Sequence, residues 1–342
     1  MKICYLLATQ GDWGGLEKHV FDLASAMVGR GHEVIVVCDS SYAEYCPAGV
    51  HVAAFDWRGS RRNIWLRFKL KKLLLQLAPN IIHAHADKPA YLLSKIHGLK
   101  GAQTLATIHN IKSNYSAYKK FKTLIGVSSA IAKSLGRTDV NIIYNGVFES
   151  HPNLEVVKKI KGFLNDKPAP YFVAVGRLVE AKGFDLLLQS WPNSRAGSLF
   201  IIGDGKQKET LQQLIDEREL KSVYLIGHSS EVAEWMTATD FLMISSRNEG
   251  GPYTLSEALL SKLAVVGTKV GMVPDFLPAS HVVAPNNIDA LQDLLASVIQ
   301  DPDHYQDACK SAFIEAKETL SFEAMTNKTE QVYRTMMAEI KY

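Results

Sequence analysis

Two doubly wound α/β domains are what this sequence predicts, and three observations predict them. Short apolar runs alternate with amphipathic helical stretches along the chain. Many of these runs are apolar at consecutive positions, as parallel strands covered by helices on both faces must be. The length, 342 residues, is enough for two domains of ordinary size. Taken in order, the first half offers strands at Ile3–Ala8, Glu33–Cys38, Ile81–Ala84, Thr104–Ile108, Leu124–Val127 and Asn141–Ile143. The second half offers Tyr171–Val175, Ser198–Ile202, Val223–Ile226, Phe241–Ile244 and Ala264–Thr268. Residues 148–168 are polar, carry Pro152 and Pro168, and read as a linker followed by the first helix of the second domain. The boundaries are therefore 1–147 and 148–320, with a last helix, Ser321 to Ile340, in residues 321–342. No low-complexity tract or short-period repeat interrupts this plan.

Composition excludes several classes. No apolar run reaches the length of a membrane span. The N-terminal Met-Lys-Ile-Cys-Tyr-Leu-Leu-Ala resembles a signal peptide only briefly, because it stops at Thr9 and meets a charged, glycine-rich loop. Cys4, Cys38, Cys46 and Cys309 show no paired spacing, which points to reduced thiols of a cytoplasmic protein. The formal charge of +3 hides an asymmetry: residues 1–145 hold 19 Lys+Arg against 9 Asp+Glu, and the rest hold 19 against 26. A basic first half suggests an anionic partner, a membrane surface or an anionic glycolipid, with no nucleic-acid partner expected. Basic residues alternate with aromatics at 58–75, helical from Asn63, and again at Lys112 to Lys122. Such stretches either lie on an anionic bilayer or form the solvated face of a core-facing helix.

Residues 245–257 read Ser-Ser-Arg-Asn-Glu-Gly-Gly-Pro-Tyr-Thr-Leu-Ser-Glu. Glu249 lies on a loop at the carboxyl end of a strand, and Glu257 lies one turn into the next helix. The amides of Tyr253 to Ser256 are expected to lack partners within that helix. Amides suit a phosphate and carboxylates suit sugar hydroxyls; a capped helix with two solvated glutamates is the plainer alternative. A second segment strengthens the first reading. A strand ends at Gly176, and Arg177 and Lys182 follow on the loop before Phe184, where two cations can hold a diphosphate. In the first loop, Gly14 and Gly15 open a helix; they either let a phosphate approach backbone amides or only shape a turn. His83, His85 and His109 end apolar runs, but no third metal ligand lies at a recognisable spacing, so no metal site is expected. For His83 a hydrogen-bonded core residue is the preferred reading.

Gly176-Arg177 with Lys182-Gly183, followed by Glu249 and Glu257, resembles the signature of the retaining glycosyltransferases of family GT4. The resemblance implies the GT-B fold, two Rossmann-like domains facing a cleft, with the C-terminal helix crossing back to the first. It implies an acceptor-binding first domain and a second domain for a UDP- or GDP-sugar, with retention of configuration and no metal or other cofactor. Arg177 and Lys182 would neutralise the diphosphate, Glu249 would bind the transferred sugar, and Glu257 the ribose. Gly250, Gly251, Tyr253 and Thr254 would border the donor, as would Gly14 and Gly15. Gly227 and His228 would meet the base, and His109 would lie near the donor sugar. Asp301-Pro-Asp303 lacks a preceding strand and is discounted as a metal motif. One departure is Gly250-Gly251-Pro252, where the family often has an aromatic residue and a glycine. The expected reaction moves a hexose or N-acetylhexosamine to a glycan or lipid-linked acceptor by front-face attack. A non-catalytic nucleotide-binding subunit and a sugar-nucleotide 2-epimerase are the alternatives on the same architecture.

Overall fold

The structure is a computed structural model, and it describes residues 1–9, 13–193 and 196–339. Gln10 to Asp12 of the first loop, and Ile340 at the end of the expected last helix, lie outside the described residues. The chain divides into two compact units: Met1–Tyr144 with the chain from Glu323 on, and Asn145–Phe322.

The first unit holds a seven-stranded parallel sheet in the order β3-β2-β1-β4-β5-β6-β7. Its strands are β1 (Lys2–Leu7), β2 (Glu33–Cys38), β3 (Val50–Ala54), β4 (Ile81–His85), β5 (Gln103–Ile108), β6 (Thr123–Gly126) and β7 (Asn141–Ile142). The second unit holds six strands in the order β10-β9-β8-β11-β12-β13. These are β8 (Tyr171–Val175), β9 (Ser198–Ile202), β10 (Val223–Gly227), β11 (Phe241–Ile244), β12 (Ala264–Thr268) and β13 (Val282–Val283). Central strands are buried along their length, so they read as continuous apolar runs. β3 escapes that signal because it is an edge strand with His51 exposed and only Val50 fully buried.

Both sheets reverse their winding order once, between β1 and β4 in the first unit and between β8 and β11 in the second. Loops leaving the carboxyl ends of strands at such a reversal diverge and leave a crevice where ligands bind. In the second unit the strands flanking the reversal are in register, Phe241 beside Phe172, and their rings stack with centroids 5.2 Å apart. The loops that follow them are those of Gly176 to Gly183 and Ser245 to Pro252.

The helix Phe322–Ala338 belongs with the first unit from Glu323 on. Its Tyr333 hydroxyl meets His83 Nδ1 at 2.6 Å, and His83 Nε2 meets Thr107 Oγ1 at 2.6 Å. His83 is thus the hydrogen-bonded core residue expected. Glu330 binds Arg30 at 2.7 Å and also Arg334 and His32, which hold its carboxyl at about 2.

The basic stretches separate in the structure. Asn63 caps the helix Ile64–Leu77 by accepting from the Trp65 amide at 2.9 Å. Leu66, Leu70 and Leu74 face the core, while Ile64, Trp65 and Phe68 are 61%, 70% and 62% exposed. The second stretch gives its aromatics to the interior instead, because Tyr115, Tyr118 and Phe121 are buried while Lys119, Lys120 and Lys122 are exposed. Asp301 acts as a helix cap, accepting from the His304 amide at 3.2 Å ahead of the helix Pro302–Ala308. No helix among the described residues is long and apolar enough to cross a membrane.

Candidate functional site

The adjacency of β8 and β11 brings the two motif loops of the second unit together. Lys182 Nζ lies 2.5 Å from Glu249 Oε1, an ion pair whose side chains are only 23% and 15% exposed. Ser246 Oγ donates to the same oxygen at 3.2 Å, so Glu249 is aimed from two sides. Arg177 is exposed and makes no ion pair among the described residues, which leaves its guanidinium available to an incoming anion. The predicted cation and the predicted sugar-binding carboxylate are therefore partners.

Several contacts hold these loops in register, and sequence reading missed most of them. Arg247 forms a bidentate pair with Asp185 at 2.6 and 2.7 Å and donates to the Glu180 carbonyl at 2.8 Å. Its own amide donates to the Ala181 carbonyl at 2.8 Å. Planar guanidinium-carboxylate pairing fixes orientation as well as distance. Ser245 Oγ donates to the Lys182 carbonyl at 2.9 Å. Gly183, at φ +65, is left-handed, and a Cβ there would sit 2.2 Å from the Ser245 carbonyl oxygen. Gly271, at φ +50, lets the Gly250 carbonyl pass 2.2 Å from where its Cβ would be.

The helix Tyr253–Leu260 starts after Pro252. Asn145 Nδ2 donates to the Gly251 carbonyl at 2.7 Å, and Ser256 Oγ donates to the Asn145 carbonyl at 2.8 Å. The expected row of unpartnered amides is corrected at Leu255, whose amide donates to the Pro252 carbonyl at 3.1 Å, and Tyr253 is not without a partner either. Gly250 and Gly251 are buried, while Tyr253, Thr254 and Glu257 are half-buried on the helix's first turns. Gly227 ends the edge strand β10 at φ +83, and His228 beside it is exposed.

In the first unit, Gly14 precedes the helix Gly15–Gly29 and Gly15 is its exposed first residue. The Gly14 amide is already occupied: it donates to Glu17 Oε2 at 3.0 Å. That amide is thus engaged within the chain, and the signal was the glutamate three positions on. No third metal ligand was expected for the strand-end histidines His83, His85 and His109. Instead His19, from that helix, joins His85 and His109, with one ring nitrogen of each within 4.8 Å of the others. Burial pulls the three rings below the ordinary histidine range, His19 to about 4, so they are neutral at physiological pH.

Comparison with known proteins decides the family. Residues 157–314 match the model described as glycosyl transferases group 1, and residues 13–150 match that of glycosyltransferase family 4. The chain belongs to glycosyltransferase family 4. This glycosyltransferase is 26% identical to the gpi3 subunit of phosphatidylinositol N-acetylglucosaminyltransferase of Schizosaccharomyces pombe, across 95% of this chain and 78% of the other. It is 24% identical to the amylovoran biosynthesis glycosyltransferase AmsD of Erwinia amylovora, across 75% and 78%. Its fold matches the crystal structure of Anabaena HepE in complex with UDP and glucose, with a TM-score of 0.78 and 18% identity over 99% and 100% of the two chains. The two parallel-sheet units of this glycosyltransferase are thus those of the GT-B fold.

Proposed function

We propose that this glycosyltransferase moves a hexose or N-acetylhexosamine, with retention of configuration, from a UDP- or GDP-sugar to a glycan or lipid-linked acceptor. The observation that carries this reading is the Lys182–Glu249 pair at the winding reversal of the second unit. UDP and glucose occupy the solved HepE structure, which supports a donor of this chemistry. Lys182 and Arg177 take up the charge that grows on the leaving diphosphate. Glu249 accepts from hydroxyls of the transferred sugar, Glu257 accepts from the ribose, and the backbone at Gly227 and His228 meets the base. His109 takes the place beside the donor sugar that the resemblance implies and is assigned a catalytic role there. The acceptor hydroxyl attacks the anomeric carbon on the face from which the diphosphate departs. A phosphate oxygen of the leaving group takes the acceptor's proton.

These cations do the work that a metal does in other transferases, so transfer needs no divalent ion. Incubation with a panel of UDP-, GDP- and ADP-sugars in excess EDTA should release nucleoside diphosphate from one base class selectively. No release from any donor would favour a non-catalytic nucleotide-binding subunit. Inversion of a donor-sugar centre without release would favour the epimerase. Loss of activity in EDTA with recovery on Mn²⁺ or Mg²⁺ would refute metal independence.

The first unit supports a peripheral position on the cytoplasmic face of a membrane. Ile64, Trp65 and Phe68 line a groove of about 630 Å³ with Lys71, Lys95 and Lys120. Exposed aromatics ringed by cations suit an anionic bilayer surface, where each cation contributes about 1 kcal/mol. The protein should co-sediment with phosphatidylserine vesicles at low salt and ignore neutral ones. Trp65→Ser with Phe68→Ser should weaken that binding and spare donor hydrolysis. Equal sedimentation with neutral vesicles would rule this surface role out.

A further inference from the structure

We propose that His19, His85 and His109 form a binding site for one Zn²⁺ ion in the first unit. Three separate elements deliver the rings: the helix Gly15–Gly29, the last residue of β4, and the residue that follows β5. His85 Nδ1 and His109 Nε2 are 3.3 Å apart. Two nitrogens bound to a tetrahedral zinc at ~2.0–2.1 Å stand about 3.3–3.4 Å apart, so this pair already has ligand spacing. The His19 nitrogen lies within 4.8 Å of both and needs to approach by no more than about 1.5 Å.

The chemistry of the donor set fits the ion. Three imidazoles without a carboxylate among them suit zinc and its neighbours rather than magnesium or calcium. His85 is also poorly satisfied as it stands. It is fully buried, its Nε2 has no hydrogen-bond partner, and its Nδ1 shares a contact with another neutral ring. A metal on Nδ1 leaves that Nε2 as it is, so only the Nδ1 side bears on the ion. A cation at the shared position would replace one weak ring-to-ring contact by a coordinate bond to each ring. The fourth tetrahedral position would remain for water or a ligand oxygen.

The three rings belong to the first unit and the Lys182–Glu249 pair to the second. The zinc site's consequence for catalysis rests on the proposed function: bound metal engages the His109 nitrogen, so zinc should slow transfer and a chelator should spare it. The decisive experiment reads binding alone and is therefore independent of that reading. The untagged full chain is titrated with Co²⁺, and its visible absorption is followed before and after Zn²⁺ is added. Intense bands of tetrahedral cobalt should appear at one equivalent and vanish as Zn²⁺ displaces it. His19→Ala should lower the affinity by more than the ~10–100-fold typical of losing an outer-sphere partner. His151→Ala, at an exposed position, should leave it unchanged. Absence of tetrahedral bands in the wild type would overturn the proposal whatever the variants do. So would a His19→Ala protein with wild-type circular dichroism and wild-type cobalt affinity.

Discussion

Lys182→Ala and Arg177→Ala are each expected to lower kcat/KM by at least ~100-fold, the scale for removing one contact to transition-state charge. Lys182→Ala should be the more severe. It removes a cation from the diphosphate and leaves Glu249, 15% exposed, without its counter-charge. A partly buried carboxylate deprived of its partner tends to take up a proton or to reorient, and either change spoils its contact with the sugar. Arg177 has no such second duty among the described residues, so its loss should act on the leaving group alone. Steady-state kinetics with a hydrolysed donor, alongside thermal melts to confirm folding, would measure both. Near-wild-type turnover in the two variants would remove the clamp from the mechanism.

The glutamates should separate in calorimetric titrations. Glu257→Ala is expected to weaken both free nucleoside diphosphate and intact donor by about 2 kcal/mol, a ~30-fold change in Kd, as for one lost hydrogen bond to a charged group. Glu249→Ala should weaken the intact donor by a similar amount. For free nucleoside diphosphate it should have no cost and could even tighten binding, because Lys182 no longer has to leave a carboxylate to meet a phosphate. If Glu249→Ala loses free-nucleotide affinity as fully as Glu257→Ala does, the division between sugar and ribose is wrong.

What the sequence disclosed, and what it did not, follows the range of the interactions. Buried central strands such as Tyr171–Val175 and Ala264–Thr268 were legible because burial on both faces writes an unbroken apolar run. Val50–Ala54 was not, since an edge strand half in solvent carries no such run. Arg177, Lys182, Glu249 and Glu257 stood out by residue type and by their place after strands. The pairing of Lys182 with Glu249 depends on β8 lying beside β11, which local pattern does not encode. The Arg247–Asp185 clip is of the same kind, a contact across 62 residues between residues that each look like solvated charge. His19 was hidden by its position on a helix, away from the strand ends that drew attention to His85 and His109. The Glu17 cap, by contrast, was written locally, in the three-residue step from Gly14.

On the proposed reading, the contact between Lys182 and Glu249 turns donor recognition into a coincidence test. A free sugar that reaches Glu249 strands the ammonium, and a bare diphosphate that reaches Lys182 strands the carboxylate. Each half-ligand therefore offsets its own gain by breaking an internal salt. A molecule that carries hydroxyls and diphosphate in one covalent frame satisfies both partners at once, and alone avoids that penalty. The pair then disfavours the two fragments of the substrate, which are also the products of futile hydrolysis, relative to the intact donor.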